Sequence, residues 1–172
     1  MTNDNYSNNC CLLPFESSDI TEKYINWLND PVVTKYSNQN YVHADFNSCS
    51  EYLKSFLGTD NLFLKIVTDS PEAFIGTITA YVDKHHGLAD MGILIGNRDF
   101  WGKGFGLSAW NQMKELLFKE LGCRKITAGT VTANIAMLNI MKKSGMHLEA
   151  TRPKHLIFNK KIYDAVYYYQ LK

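Results

Sequence analysis

The chain reads as one mixed α/β domain, a mostly antiparallel sheet of about seven strands with flanking helices, spanning residues 10–172 after a loose polar tail at 1–9. Three observations predict it. Strand-like runs at 62–67, 74–82 and 89–95 follow one another through short turns, which makes an antiparallel meander. A helical pattern separates the run at 89–95 from the next at 125–131, so those two strands run parallel. Two further runs, 146–152 and 163–171, close the chain as a hairpin.

Each element has a local cause. Cys11 to Phe15 form a short first strand, placed at an edge because Pro14 lacks an N–H. Asp19 and Glu22 have the spacing of a reciprocal helix cap, and Ile20, Tyr24, Trp27 and Leu28 fall on one face of the helix that follows. Asn29-Asp30-Pro31 stops it, since the residue before proline avoids the helical region. Ser48 and Glu51 repeat the pattern for a second helix, expected to bury Tyr52, Leu53, Phe56 and Leu57 and to end near Gly58.

In the run at 74–82, Phe74, Gly76, Ile78, Ala80 and Val82 alternate with Thr77, Thr79 and Tyr81 on the opposite face. A helix over 104–121 carries Leu107, Trp110, Met113, Leu117 and Leu121 at helical spacing, a core-facing stripe. Residues 134–144 form another helix, ended by Gly145.

Composition narrows the function. The 172 residues are 45% hydrophobic and 13% aromatic, the signature of a folded chain. A formal net charge of +1 gives no broad field to recruit nucleic acid or a membrane, and neither is expected as a partner. The four cysteines include no Cys-x-x-Cys pair, so free thiols and no metal are expected. The start is polar rather than basic then apolar, which points to the cytoplasm. The final aromatic run, Tyr167-Tyr168-Tyr169, either packs inward or pairs with another subunit, leaving monomer and homodimer both open.

The stretch GILIGNRDFWGKGFG, from Gly92 to Gly106, organises the rest. It passes from strand to glycine-rich loop to helix, an arrangement that presents unpartnered main-chain N–H groups to an anion. Lys103 adds a positive charge, though a solvated surface lysine reads equally well. The nucleoside-triphosphate loop needs Ser or Thr after Gly-Lys, where Gly104 stands. The dinucleotide fingerprint needs a small residue where Leu107 stands.

Trp101-Gly102-Lys103-Gly104-Phe105-Gly106 resembles the acyl-CoA loop of GNAT acetyltransferases: Gln or Arg, two residues, Gly, any residue, then Gly or Ala. Trp101 departs at the first position, as is common in the branch related to ribosomal-protein N-acetyltransferases. The resemblance extends over most of the chain. It includes the strand His86 to Gly96, the helix-to-strand signature from Ala133 to Met146, and the closing Asn159-Lys160-Lys161-Ile162-Tyr163-Asp164.

It implies a sheet splayed between the fourth and fifth strands, with acetyl-CoA as co-substrate in the gap. Main-chain groups of Ile93, Leu94 and Ile95 would then meet the pantetheine arm, and those of Trp101, Gly102, Lys103, Gly104, Phe105 and Gly106 the pyrophosphate. Asn134 matches the family's asparagine that touches the coenzyme arm, although asparagine at a helix start is also a common cap. Asp90 stands where related enzymes carry a carboxylate, which would take a proton from the attacking amine. His85 and His86 have suitable intrinsic pKa values but read as exposed turn residues.

The family's late-helix tyrosine, which protonates the leaving thiolate, is Met141 here. For the acceptor, Trp27, Tyr36, Tyr41 and His86 are candidates. The implied reaction is acetyl transfer to a primary amine by direct attack. A nucleotide-linked amino sugar is the first choice and a protein N-terminal amine the second; a non-catalytic acyl-CoA-binding protein is the alternative of another class.

Overall fold

The computed structural model describes residues 9–69 and 72–172. Apart from Asn9, the expected tail lies outside them. Seven strands form one sheet: β1 (Cys10–Pro14), β2 (Leu62–Asp69), β3 (Glu72–Asp83), β4 (Leu88–Ile95), β5 (Lys125–Val131), β6 (His147–Phe158) and β7 (Lys161–Leu171). Their spatial order is β1-β2-β3-β4-β5-β7-β6, and every neighbouring pair is antiparallel except β4 and β5. The helices are α1 (Glu22–Asn29), α2 (Phe46–Lys54), α3 (Phe105–Lys119) and α4 (Ile135–Lys143).

Two hydrophobic clusters hold the layers together. On one side Trp110, Met113 and Leu117 of α3 and Met141 of α4 are fully buried with Ile66, Ile78 and Ile126 of the sheet. Each large side chain buried this way contributes roughly 1.5–3 kcal/mol. Leu121 packs against this cluster, while Leu107 is only half-buried. The second cluster joins Tyr24 and Trp27 of α1 and Cys49 of α2 to Phe15, Phe56 and Phe63, with Phe74 against it. All four cysteines are free thiols.

Both N-terminal helices begin elsewhere than the capping patterns predict. Asp19 belongs to a 3-10 turn, Ser17–Asp19, where its carboxylate accepts the Glu16 N–H at 2.8 Å and pairs with Lys65 at 2.7 Å. Thr21 caps α1 instead, accepting the Tyr24 N–H at 3.3 Å. Asp45 caps α2, accepting from Ser48 N at 2.7 Å, while the Ser48 hydroxyl accepts the Asp45 N–H at 2.9 Å. Ser48 is thus the third residue of the helix and not its cap. Of the residues this helix was expected to bury, Phe56 is buried and Leu53 half-buried, whereas Tyr52 (41%) and Leu57 (70%) are exposed; Phe56 and Leu57 lie beyond its last residue, Lys54.

The alternation expected of β3 also breaks. Ile66 pairs with Gly76 and Val67 with Phe74, so Ile75 is an extra residue in β3. The bulge lets Phe74 join the rings of Phe15, Tyr24 and Trp27 while Ile75 is buried in the other cluster. The expectation that Phe74 shares a face with Ile78 is therefore corrected. The closing hairpin is longer than expected, its strands meeting at Asn159 and Lys160 (φ 51° and 63°), the paired positive values of a tight two-residue turn.

Candidate active site

The sheet opens where the sequence expectation placed the gap. β4 and β5 pair only at Leu88–Lys125, Ala89–Ile126 and Asp90–Thr127, whereas β5 pairs with β7 along its whole length, from Lys125 to Val131. Which main-chain groups this exposes follows from the β3–β4 ladder. Gly96 N donates to Ile75 O at 2.9 Å, and the register sets Leu94 against Thr77 and Gly92 against Thr79. Alternate residues of an antiparallel strand turn their N–H and C=O to the same neighbour. Gly92 and Leu94 therefore face β3, and Ile93 and Ile95 face the gap. The Ile95 carbonyl accepts the indole N–H of Trp101 at 2.7 Å. The open edge is the N–H and C=O of Ile93 and the N–H of Ile95. Leu94 offers its side chain, not its main chain.

The glycine loop lies at the C-terminal end of that edge. Gly104 is the N-cap of α3 in the left-handed region (φ 86°), with no side-chain cap bond. The N–H groups of Phe105, Gly106 and Leu107 consequently have no acceptor within the helix. Gly102 is also left-handed (φ 71°), and a Cβ built on it would meet nothing within 4 Å. The loop is open on the side where an anion would approach. Gly106 has a different cause: its Cβ would lie 3.0 Å from Ile140 Cδ1, so it allows α3 to approach α4. Lys103 is exposed, its ammonium 5.8 Å from the Phe100 ring centroid, and Phe105 packs edge-on against Phe100.

A cavity of about 430 Å³ lies on the α1–α2 face of the sheet. Its floor is Thr77 and Thr79 of β3 with Gly92, Ile93 and Leu94 of β4, so it reaches the strand where the sheet opens. Its walls come from Tyr24 and Leu28 of α1, from Ser48, Cys49 and Tyr52 of α2, and from Ser37, Gln39 and Val42 between the helices. Asn29 holds that wall: its amide exchanges two hydrogen bonds of 2.8 Å with the main chain of Ala44. Burial pushes the Cys49 thiol up, which keeps it protonated near neutrality and unsuited to act as a nucleophile.

Asp90 sits one rung along the same face of β4, opposite Tyr81 of β3. Desolvation raises its pKa above the ordinary carboxylate value, opposed by a hydrogen bond from Thr127 Oγ1 at 3.1 Å. The residue as a whole remains solvent-exposed, so the crowding concerns the carboxyl end against β5. Tyr81 and Tyr52 share a hydroxyl–hydroxyl contact of 2.8 Å that bridges β3 to the cavity wall.

Other candidates stand apart. Trp27 is buried against Phe74 and packs over Gly96, where a Cβ would come within 2.2 Å of the indole; it does not line the cavity. Tyr36 meets Phe158 and Tyr163 edge-on, and Tyr41 stacks on Phe158 and donates to Ile157 O. His86 lies in the β3–β4 turn, at the far end of β4 from the loop. Its main chain is held there by the Asp83 carboxylate at 3.1 Å and by Arg124 Nε at 2.7 Å. Asn134 caps α4, accepting from Met137 N at 3.3 Å and donating to Thr130 Oγ1 at 3.0 Å. Met141 is fully buried.

Sequence reasoning passed over Thr127 and most of the cavity lining. The signal available was the row Thr77, Thr79 and Tyr81, a polar stripe on a strand that proves to be central.

Among the described residues no group of His, Cys, Asp or Glu is arranged to hold a metal ion, and no helix is long and apolar enough to cross a membrane.

Comparison with known proteins agrees with this geometry. Residues 9–147 match the model of the acetyltransferase (GNAT) domain family. The chain is 28% identical over 143 residues to an uncharacterized N-acetyltransferase, p20, of Bacillus licheniformis, covering 80% of this chain and 77% of that one. Among solved structures, an acetyltransferase of the GNAT family from Bacillus anthracis superposes with a TM-score of 0.80 at 20% identity, over 94% of each chain. A spermidine N-acetyltransferase from Vibrio cholerae, solved with CoA and spermine, gives 0.83 at 19% identity, over 94% of this chain and 95% of that one. The microcin C7 self-immunity acetyltransferase, solved with acetyl-CoA and AMP, gives 0.78 at 17%, over 96% and 94%.

Proposed function

The chain belongs to the GNAT acetyltransferases, and from that premise we propose that it transfers the acetyl group of acetyl-CoA to the primary amine of a small molecule seated over Gly92, Ile93 and Leu94. One observation carries this reading: the open strand edge, the uncapped α3 terminus and the cavity all converge on β4.

The direction of the coenzyme follows from the layout. Its pyrophosphate accepts from the first-turn N–H groups of α3, with Gly102 and Gly104 leaving room. The pantetheine arm then runs back along β4, adding to the strand edge at Ile95 and Ile93. The Ile93 N–H faces the thioester carbonyl and stabilises the oxyanion that forms there. Trp101 positions the loop through its bond to Ile95 O.

The amine must lose a proton before it attacks. Asp90 lies one rung from Gly92, roughly 7 Å along the strand, so it acts through a bridging water. Gly92 has no side chain to block that path. The neutral nitrogen then forms the C–N bond; the adduct gives up one nitrogen proton to water and the C–S bond breaks, and the departing thiolate takes up a proton from that water, leaving the amide and the free thiol. Asn134 positions α4 and borders the gap. A nucleotide-linked amino sugar remains the first candidate acceptor: the hydroxyls and amide of Ser37, Ser48, Thr77, Thr79 and Gln39 suit its sugar head. Its diphosphate would lie outside, since among the described residues no cationic side chain lines the cavity.

The test measures thiol release from acetyl-CoA with amino sugars, their nucleotide-linked forms and short peptides. Release with the sugar amines is expected; turnover with peptides alone would reverse the ranking. Acetyl-CoA binding without transfer to any amine would remove the catalytic reading.

A further inference from the structure

Resting on the acetyltransferase reading, we infer that the part of the acceptor seated in the cavity carries a single cationic nitrogen on an otherwise uncharged body, and that polyamines are rejected. None of the fifteen described residues lining the cavity is charged. Nine of them present apolar surface or an aromatic ring, and the remainder offer hydroxyls, an amide or a bare glycine. Carboxylates near the cavity are few and placed at its margins. Asp90 stands beyond one end of the floor, where a single ammonium can meet it before losing its proton. Asp45, at the start of α2, is exposed and lines neither cavity; its Oδ1 accepts the Ser48 N–H. The adjoining shallower cavity, which shares Leu28, Gln39 and Val42 with the first, adds His43 and no acidic side chain.

A polyamine delivering one nitrogen to Ile93 must therefore leave its next ammonium inside the cavity without a counter-charge. An unpaired ammonium removed from water is strongly disfavoured. A hydroxylated or aromatic monoamine meets no such penalty: its body exchanges water for Thr77, Thr79, Ser37 and Gln39, or for the faces of Tyr24 and Tyr52. The resemblance in fold to a spermidine N-acetyltransferase consequently does not extend to the acceptor.

Calorimetry on the full chain tests this with tyramine, glucosamine and spermidine, each titrated with and without CoA at about 150 mM salt to screen surface charge. Tyramine or glucosamine is expected to bind at least about 30-fold more tightly than spermidine. The variant Gln39→Glu adds one carboxylate to the wall at nearly constant shape and should narrow that ratio by about tenfold. Spermidine binding as tightly as the other two, none of the three binding, or a ratio unmoved in Gln39→Glu would each overturn the inference. Acetyl-CoA binding, measured first in the same cell, reads the underlying assignment separately. Its absence would count against the acetyltransferase site, while the coenzyme-free amine titrations still report what the cavity accepts.

Discussion

Gly104→Val tests the loop most directly. Gly104 stands at φ 86°, where a residue with a Cβ is strained by about 1–2 kcal/mol. For a domain of this size that lowers Tm by roughly 2–8 °C. The effect on the coenzyme should be larger. The added isopropyl group occupies the approach to the first-turn N–H groups of α3, and a hydrogen bond from such a donor to a phosphate contributes about 1.5–3 kcal/mol. Losing two weakens acetyl-CoA binding by at least about 100-fold. Gly122→Val is the control. Gly122 has φ 67° and open space around it, beyond the opposite end of α3, so it carries the same strain with no ligand nearby. Calorimetry and thermal melts on both variants separate strain from contact. Both should lose a few degrees, and only Gly104→Val should lose the coenzyme. Equal, undiminished affinity in the two variants would refute the placement of the pyrophosphate.

Asp90→Asn should slow transfer by about 100-fold at pH 7 and remove the acid limb of the rate profile, which in the parent lies above the ordinary carboxylate range because desolvation raises that pKa. Stability should move the other way. A carboxyl whose folded pKa is raised stabilises the fold only below its unfolded value, and that contribution is lost as pH rises through the folded value. In urea melts Asp90→Asn should therefore be more stable than the parent at pH 7, the difference closing in acid. Trp101→Phe deletes the bond to Ile95 O and should weaken acetyl-CoA binding by about 3–10-fold with little change in Tm, as loss of one hydrogen bond requires. Gly96→Ala places a Cβ 2.2 Å from the Trp27 ring and should cost about 3 kcal/mol in a urea melt by forcing α1 off the sheet.

What the sequence shows and what it hides divide along physical lines. Periodicity reveals α3 because Trp110, Met113 and Leu117 recur at helical spacing and all face one cluster. The glycine loop is legible because positive φ at Gly102 and Gly104 leaves a mark on residue choice. The start of α2 is ambiguous because Asp45 and Ser48 are reciprocal members of one capping box, and either can be taken for the first. The bulge at Ile75 leaves no local mark. Phe74 turns to the aromatic cluster under α1 because three distant rings are there, which no window of strand residues records. The gap between β4 and β5 is an absence of hydrogen bonds, and an absence has no composition. Family resemblance supplied it. Ile93 could be separated from Leu94 only once the register with Thr77 was known.

The buried Met141 bears on how the leaving group departs. With no exposed surface it belongs to the α3–α4 core, so no side chain at that position donates a proton to the sulfur. The energetics do not require one. An alkyl thiol has a pKa near 8.5 and an alkylammonium near 10.4, so thiolate is the better leaving group by about two units, or roughly 2.7 kcal/mol. Once Asp90 has relieved the nitrogen of its proton, the tetrahedral adduct collapses towards the amide without an acid. The demand on this site falls on deprotonating the amine and holding the oxyanion, the two roles proposed above for Asp90 and the Ile93 N–H on one strand. The absence of a tyrosine is therefore compatible with catalysis, and in the proposed mechanism the carboxylate is the group on which the rate depends.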